Sequence, residues 1–191
     1  ENEIANTEIN RLRELIATAE QNEQWQEAVD QYDNVLAIDG NLLFAINGRD
    51  YADKRARLDR LLEQAIDNPE RFSESAVFEQ TLDVYYTGRA IEDPGPRLVA
   101  QLDELQGFLE NSQVPIDISF VSDGLTDVTL LRIENLGTFQ QTSLSLKPGR
   151  YVAVGKRSGY REVRKEFTVG FGLTPDSVIV QCDERVTSSR R

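Results

Sequence analysis

A glycine- and lysine-containing stretch, "GRYVAVGKRS", is the part of this sequence that most resembles a phosphate-binding loop. Such a loop needs Gly-x-x-x-x-Gly-Lys-Ser/Thr, because successive backbone N–H groups surround the phosphate and the hydroxyl holds magnesium. Here five residues separate Gly149 from Gly155, and Arg157 follows Lys156 where the hydroxyl is required. The intervening residues alternate as they do in a strand. The spacing therefore predicts a turn and a strand, and no cofactor is expected.

Other residue types that support catalysis or metal binding are scarce. Histidine is absent, which removes the commonest general base and zinc ligand. The single cysteine, Cys182, lies in an apolar segment and is interpreted as a small buried residue. Asp117, Asp123 and Asp127 do not have the spacing of an EF-hand loop, and Asp123-Gly124 is typical of a tight turn. We therefore predict no metal site and a non-enzymatic protein. An enzyme whose carboxylates converge in a pocket is the remaining catalytic alternative.

Five basic residues near the C-terminal end form a candidate partner-binding patch. They lie on two predicted strands joined by Ser158-Gly159, so a hairpin would bring several of them onto one surface. Such a surface attracts an acidic protein, an anionic glycan or the acidic half of this chain itself. The alternative is a solvated face that protects a sheet edge from aggregation. The five residues are Lys156, Arg157, Arg161, Arg164 and Lys165.

The distribution of charge divides the chain into two parts. The net charge of −12 is made up of −14 over residues 1–112 and +2 over residues 113–191. Nucleic acid is excluded as a partner of the acidic part, because its phosphates would be repelled. No apolar run approaches the roughly 20 residues that a membrane-spanning helix needs.

Residues 1–112 show the three- and four-residue spacing of amphipathic helices. Asp39-Gly40, Asn68-Pro69 and Asp93-Pro94 interrupt the pattern and divide it into about five helices. The apolar positions of the first two helices are Ile9, Leu12, Ile16, Ala19, Trp25, Ala28, Val29, Tyr32, Val35 and Leu36.

From Val114 onwards the alternation of short strands replaces the helical spacing. The predicted strands cover residues 115–121, 127–133, 138–146, 151–157, 160–169 and 176–182, with turns at Asp123-Gly124, Asn135-Leu136-Gly137, Pro148-Gly149, Ser158-Gly159 and 170–175. Short strands at this spacing are typical of a small antiparallel sandwich. The sequence thus predicts an α+β protein of two domains: a helical domain (1–112) and a β-sandwich (113–183), followed by a flexible tail (184–191).

A series of small and aromatic residues runs through the second predicted helix and the helix that follows it. The series consists of Ala28, Tyr32, Val35, Leu36, Asp39 and Gly40, followed in the next helix by Phe44, Gly48 and Tyr51. It resembles a tetratricopeptide repeat, a family in which small residues let paired helices approach each other and aromatic residues fill the space between them. The resemblance covers residues 23–69 and implies a repeat-like helical domain that binds a protein. A plain helical bundle is the alternative.

Residues 114–169 contain a series of strand, turn and glycine-containing segments. The series consists of the strand Ile116–Val121, Asp123-Gly124, Leu136-Gly137, Leu144, Leu146, Pro148-Gly149, Tyr151 and Gly159-Tyr160. It resembles the PEGA domain, a small β-module of the bacterial cell envelope, although the family's naming tetrapeptide is replaced here by "SDGLTDV". The resemblance implies a non-catalytic binding or spacer module that is attached to other domains.

Together, the two resemblances imply a scaffold or adaptor of the cell envelope. The helical domain is expected to bind a protein partner, and the β-domain to contact another envelope component such as the cell wall. A membrane anchor upstream of Glu1 is expected to place both domains in the periplasm, at the inner membrane. The alternative is a structural stalk or oligomerising spacer of a membrane-anchored complex, in which the chain forms a homo-oligomer.

Overall fold

The structure is a computed structural model that describes residues 2–186. Within this range five α-helices precede seven strands, so the predicted α+β layout is confirmed. None of the helices within the same range has the length and apolar character needed to cross a bilayer. The helices are α1 (Asn2–Gln21), α2 (Trp25–Ile38), α3 (Leu43–Asp67), α4 (Ser75–Arg89) and α5 (Pro96–Asn111), with a 3₁₀ helix (Pro69–Ser73) before α4. The strands are β1 (Ile116–Val121), β2 (Asp127–Leu130), β3 (Glu134–Gly137), β4 (Gln141–Leu146), β5 (Gly149–Lys156), β6 (Val163–Val169) and β7 (Val178–Ile179).

The chain forms two compact units, and each unit is built from two separate segments. The first unit comprises Glu1–Asp67 and Thr81–Gln106, and the second comprises Asn68–Gln80 and Gly107–Arg191. Helices α4 and α5 each contribute residues to both units. The change from helix to strand falls between Asn111 and Ile116.

The core of α1, α2 and α3 contains the apolar stripe that the sequence predicts. Tyr32 packs closely against Gly48, where a Cβ would lie only 2.3 Å from the tyrosine Cζ. The Tyr32 hydroxyl donates a hydrogen bond of 2.9 Å to Glu20. Burial and this carboxylate raise the pKa of Tyr32 to about 12. Glycine at position 48 therefore allows α2 and α3 to approach each other. The buried residues of this core are Leu12, Ile16, Ala19, Trp25, Ala28, Val29, Tyr32, Val35, Ala45, Ala52 and Ala56.

Glu23 links the α1–α2 turn to the start of α5 within the first unit. Its carboxylate accepts hydrogen bonds from the backbone N–H groups of Arg97 (2.7 Å) and Leu98 (3.0 Å). The guanidinium of Arg55 lies 3.7 Å from the same carboxylate, and both side chains are only 6% exposed. A Cβ at Gly95 would lie 2.2 Å from the carboxylate carbon, so glycine is required for this approach. Glu23 thus accepts hydrogen bonds from N–H groups at the N-terminus of α5 that have no partner within the helix.

The strands of the second unit form two sheets. In the first, β1 lies between β4 and β7, antiparallel to β4 and parallel to β7. The parallel pair departs from the antiparallel arrangement that the sequence predicts. The second sheet has the order β3-β2-β5-β6 and is antiparallel throughout. Residues of both sheets share one buried cluster, which contains Ile118, Phe120, Val128, Leu130, Leu146, Ala153, Val169, Val178 and Val180.

The segment after β2 differs from the prediction of one strand over residues 127–133. Strand β2 ends at Leu130, and the chain turns at Arg132, whose φ is +64°. The N–H of Ile133 closes this turn by donating to the carbonyl of Leu130 (3.1 Å). Residues 135–137, predicted as a turn, belong instead to β3. The prediction was wrong here because no glycine or proline marks the turn at Arg132.

The final described residues are joined to the β5–β6 turn by hydrogen bonds. Arg161 N–H donates to the carbonyl of Glu184 (2.8 Å), and Val186 N–H donates to the carbonyl of Gly159 (2.9 Å). Residues 184–186 of the predicted tail therefore have fixed backbone partners. Residues 187–191 of that predicted tail lie outside the described part of the chain.

Candidate functional site

The predicted basic patch is built on the β5–β6 hairpin. Lys156 ends β5, and the chain turns through Gly159, whose φ of +80° suits glycine. In the antiparallel register Val154 lies opposite Arg164, and Ala153 lies opposite Lys165. Because neighbouring strand residues point to opposite faces, Arg164 and Lys165 do not share one surface.

Three cations, Lys156, Arg157 and Arg161, lie at the turn, and we call them the turn cluster. Each has an acidic neighbour: Glu162 lies 3.6 Å from Lys156, Asp123 lies 3.5 Å from Arg157, and Glu184 lies 3.2 Å from Arg161. The pairs of Lys156 and Arg161 are well exposed, so they contribute little to stability and exchange readily for another partner.

Arg164 and Lys165 lie on β6, which is an edge strand of its sheet. Among residues 2–186, neither has an acidic group within 4 Å. Lys165 lies opposite the buried Ala153, on the face of the sheet that carries Phe167. Such an inward-facing cation on an edge opposes pairing with another chain, as the alternative interpretation of the patch expects.

Tyr160 contacts two arginines at the β5–β6 turn. The guanidinium carbon of Arg157 lies 4.1 Å from the centroid of its ring, a cation–π arrangement. Arg185 lies 5.6 Å from the same centroid and donates a hydrogen bond of 3.0 Å to the phenolic oxygen. The hydrogen bond from Arg185, with the charge of Arg157, lowers the pKa of Tyr160 below its ordinary value. Sequence reasoning missed Arg185, because it lies in the segment predicted as a flexible tail.

A shallow depression surrounds Tyr160. Its volume is about 380 Å³, and it is lined by Lys156, Arg157, Ser158, Tyr160 and Glu162. The depression offers cationic groups, a hydroxyl and an aromatic ring on one surface. These are the groups that bind a carboxylate, a sulfate or a sugar ring. The arrangement is suited to recognition of an acidic partner.

Asp123 holds Arg157 in place from the turn before β2. It accepts hydrogen bonds from the backbone N–H groups of Leu125 (2.9 Å) and Thr126 (2.8 Å). Burial raises the pKa of Asp123, but these two hydrogen bonds, a third from the Thr126 hydroxyl and the charge of Arg157 together outweigh it, so the pKa lies below its ordinary value. The carboxylate is therefore charged at neutral pH and fixes the guanidinium of Arg157.

The other residues considered for chemistry have separate partners. Asp117 accepts a hydrogen bond from Ser145, and Asp127 accepts one from Asn135. Within the described residues, no three His, Cys, Asp or Glu side chains form a group that could hold a metal ion. Cys182 is buried, and its Sγ donates to the carbonyl of Gly155 at 3.2 Å. The predicted strand over residues 151–157 corresponds to β5 (Gly149–Lys156), and Gly149, predicted as part of a turn, belongs to the strand.

Comparison with known proteins gives no family for this chain. No model of a known protein family matches the sequence, and no curated protein matches it.

Proposed function

We propose that this protein is a non-enzymatic scaffold or adaptor of the bacterial cell envelope. In this proposal a tetratricopeptide-like helical domain (1–112) binds a protein partner. A PEGA-like β-sandwich (113–183) contacts an acidic envelope component through the turn cluster. The depression around Tyr160 carries the proposal, because it combines the exposed Lys156 and the half-buried Arg157 with an aromatic ring.

Local packing supports both parts of this assignment. The close approach of Tyr32 to Gly48 is the small-and-aromatic packing that a tetratricopeptide-like helix pair needs. The shared core of the two sheets supports a β-sandwich, in which the inner faces of both sheets interdigitate. The proposed location is the periplasm, which the PEGA resemblance of residues 114–169 supports.

Two features of the turn cluster favour binding of an acidic group. The exposed side chains of Lys156 and Arg161 face only exposed carboxylates, which an incoming anion displaces at low cost. Arg157 is half-buried and fixed by Asp123 and the Tyr160 ring, so little conformational entropy is lost when it binds. The cluster thus combines exchangeable charges with one preorganised guanidinium.

Reversing the exposed charges of the cluster is expected to weaken capture of the acidic partner. The full chain, immobilised, should retain that partner from envelope extracts at low salt and release it as screening increases. Lys156→Glu/Arg161→Glu should weaken retention by about tenfold, because two attractive contacts become repulsive. Arg11→Glu/Lys54→Glu, which makes the same charge change on exposed residues of the first unit, should leave retention unchanged.

Two results would contradict the adaptor. One is that the wild-type chain retains nothing from the extracts. The other is that both double variants retain the partner equally, which would show that the turn cluster does not contact it.

One observation favours the alternative, an oligomerising spacer. Strand β4 is an edge strand whose sequence, "QTSLSL", contains no charge and no proline. Among residues 2–186, no group outside β1 makes a backbone hydrogen bond to β4. An uncharged edge of six residues is a template for pairing with a second copy.

If the chain is an oligomerising spacer, we expect it to form a dimer through β4 that one added charge on this strand disrupts. Sedimentation velocity should show the wild-type chain as a dimer and Ser143→Lys as a monomer, because a lysine on an edge strand opposes pairing. Asn10→Lys adds the same charge to an exposed position of α1 and should remain dimeric. A monomeric wild-type chain, or a dimer that survives Ser143→Lys, excludes pairing through β4.

A further inference from the structure

A second concave surface of the second unit lies between the 3₁₀ helix and the β2–β3 turn. We call it the Arg132 groove. Its volume is about 480 Å³, within the range of roughly 300–1,000 Å³ that is usual for small-ligand sites. The 3₁₀ helix lies so close to β5 that a Cβ on Gly149 would come within 2.4 Å of the Ser73 Cβ. The groove shares no residue with the turn cluster. Its lining residues are Glu70, Arg71, Ser73, Glu74, Leu131, Arg132, Ile133, Arg150 and Tyr151.

Within residues 2–186, two of the three arginines that line the groove have an acidic partner, and the third does not. Arg150 pairs with Glu70 at 2.7 Å, and Arg71 lies 3.6 Å from Glu74. For Arg132, the described residues provide no acidic group within 4 Å. The groove therefore has a net charge of one positive unit, which suits a ligand with one negative charge.

Backbone hydrogen bonds fix the conformation of the turn that carries Arg132. Arg132 adopts a φ of +64°, a conformation that residues other than glycine rarely take. Two backbone hydrogen bonds hold the turn, from Leu131 N–H to Val152 (2.9 Å) and from Ile133 N–H to Leu130 (3.1 Å). The backbone position from which the Arg132 side chain extends is thus fixed by the fold.

Apolar surface lies directly beside this charge. Leu131 and Ile133, the residues before and after Arg132, both line the groove. The side chain of Ile133 is 51% exposed. On the opposite wall, the Ser73 hydroxyl donates to the carbonyl of Glu70 at 3.1 Å, so its oxygen can still accept a hydrogen bond. Glu74 adds a further acceptor. The groove therefore offers a cation, an apolar contact and acceptors for N–H groups.

We propose that the Arg132 groove binds the C-terminal carboxylate of a peptide whose last residue is apolar. The guanidinium of Arg132 forms two parallel hydrogen bonds with the carboxylate, a geometry that arginine favours. The terminal side chain packs on Leu131 and Ile133. Ser73 and Glu74 accept hydrogen bonds from the peptide N–H groups. A fatty acid has the same charge but lacks these donors, so it fits the mixed lining less well.

Binding of three small probes to the full chain tests this ligand class. The probes are N-acetyl-Ala-Leu with a free carboxylate, its C-terminal amide, and octanoate, each titrated by isothermal calorimetry. The free peptide acid should bind at least about tenfold more tightly than the amide, because a charge-assisted hydrogen-bond pair is lost in the amide. It should also bind more tightly than octanoate.

The decisive variant is Arg132→Gly. Glycine adopts positive φ without strain, so this change removes the guanidinium while the turn keeps its conformation. Affinity for the peptide acid should fall by at least about tenfold and the melting temperature should change little. Arg132→Gln, which keeps a long side chain, should lose the same affinity. Arg164→Ala, at an exposed arginine of β6, should bind as the wild type does.

Four results would overturn the proposal. They are no binding of the peptide acid, equal binding of the acid and the amide, octanoate binding as tightly as the peptide, and unchanged affinity in both Arg132 variants. Octanoate binding at the level of the peptide would assign the groove to a fatty carboxylate instead.

Discussion

Replacing Glu23 by alanine is expected to destabilise the first unit by about 3–5 kcal/mol, the usual cost of removing one partner of a buried ion pair. The substitution leaves the Arg55 guanidinium buried at 6% exposure without its carboxylate. It also removes the acceptor for the N–H groups of Arg97 and Leu98 at the start of α5. Both losses fall within the first unit, so they act on the same unfolding equilibrium.

Urea denaturation followed by tryptophan fluorescence measures this effect. Trp25 is the only tryptophan of the chain and lies in the first unit, with the Arg55 guanidinium carbon 4.2 Å from its ring. Asp50→Ala is the control: it removes an exposed pair with Lys54 and should cost at most about 0.5 kcal/mol.

A double variant separates the ion pair from simple loss of packing. Glu23→Gln/Arg55→Met removes both charges together and should be less destabilised than Glu23→Ala, because no uncompensated charge remains buried. If Glu23→Ala costs less than about 1 kcal/mol, Glu23 does not stabilise the first unit in the way described.

Replacing Phe120 by alanine is expected to destabilise the second unit by about 3–5 kcal/mol, the usual cost of removing a buried phenyl ring. Phe120 is fully buried on β1, the central strand of its sheet. Its ring packs edge-on against Phe167 at 5.8 Å between centroids, so the substitution leaves a cavity next to β6. Phe120→Leu retains much of the volume and should cost less.

The thiol of Cys182 provides the measurement for the second unit. Cys182 is the only cysteine, lies in this unit and is 1% exposed. A thiol reagent therefore labels it only after local or global opening, and the labelling rate against urea gives the free energy of that opening. Leu173→Ala, at an exposed position, should change this free energy by no more than about 0.5 kcal/mol. Equal labelling of Phe120→Ala and the wild type would show that Phe120 is not a core residue.

The sequence predicts the regular parts of the fold well, because burial imposes periodic patterns. Ile16, Val29 and Val35, chosen from helical spacing, are all buried. Ile118 and Phe120, chosen from strand alternation, are buried as well. Hydrophobic periodicity reports which face is covered, so it identifies core residues without knowledge of the tertiary contacts.

Features fixed by contacts between distant residues were not predictable in this way. Glu23 gives no sign in the sequence that it is buried, because its partners Arg97 and Leu98 follow more than 70 residues later. The turn at Arg132 contains no glycine or proline that would mark it in the sequence. Backbone hydrogen bonds impose its conformation instead. Tertiary contacts override local propensity at both positions.

The sequence predicts where the candidate site lies, but it does not predict all of the residues that form it. The Ser158-Gly159 signal places a turn between two strands, and the turn cluster lies there. Strand alternation separates Arg164 from Lys165, which composition alone does not reveal. Arg185 joins Tyr160 through tertiary contacts that its own segment does not indicate.

The interleaved order of the two units has a consequence for the nascent chain. Asn68–Gln80 leaves the ribosome before Gly107–Arg191, although both segments belong to the second unit. Phe72 is buried in the finished protein, and the 3₁₀ helix that carries it packs against β5. The first residue of β5, Gly149, is synthesised 77 residues after Phe72, which takes about 4–15 s at 5–20 residues per second. During that interval an aromatic side chain is uncovered on the growing polypeptide. Slow translation between residues 80 and 149 would lengthen its exposure to chaperones.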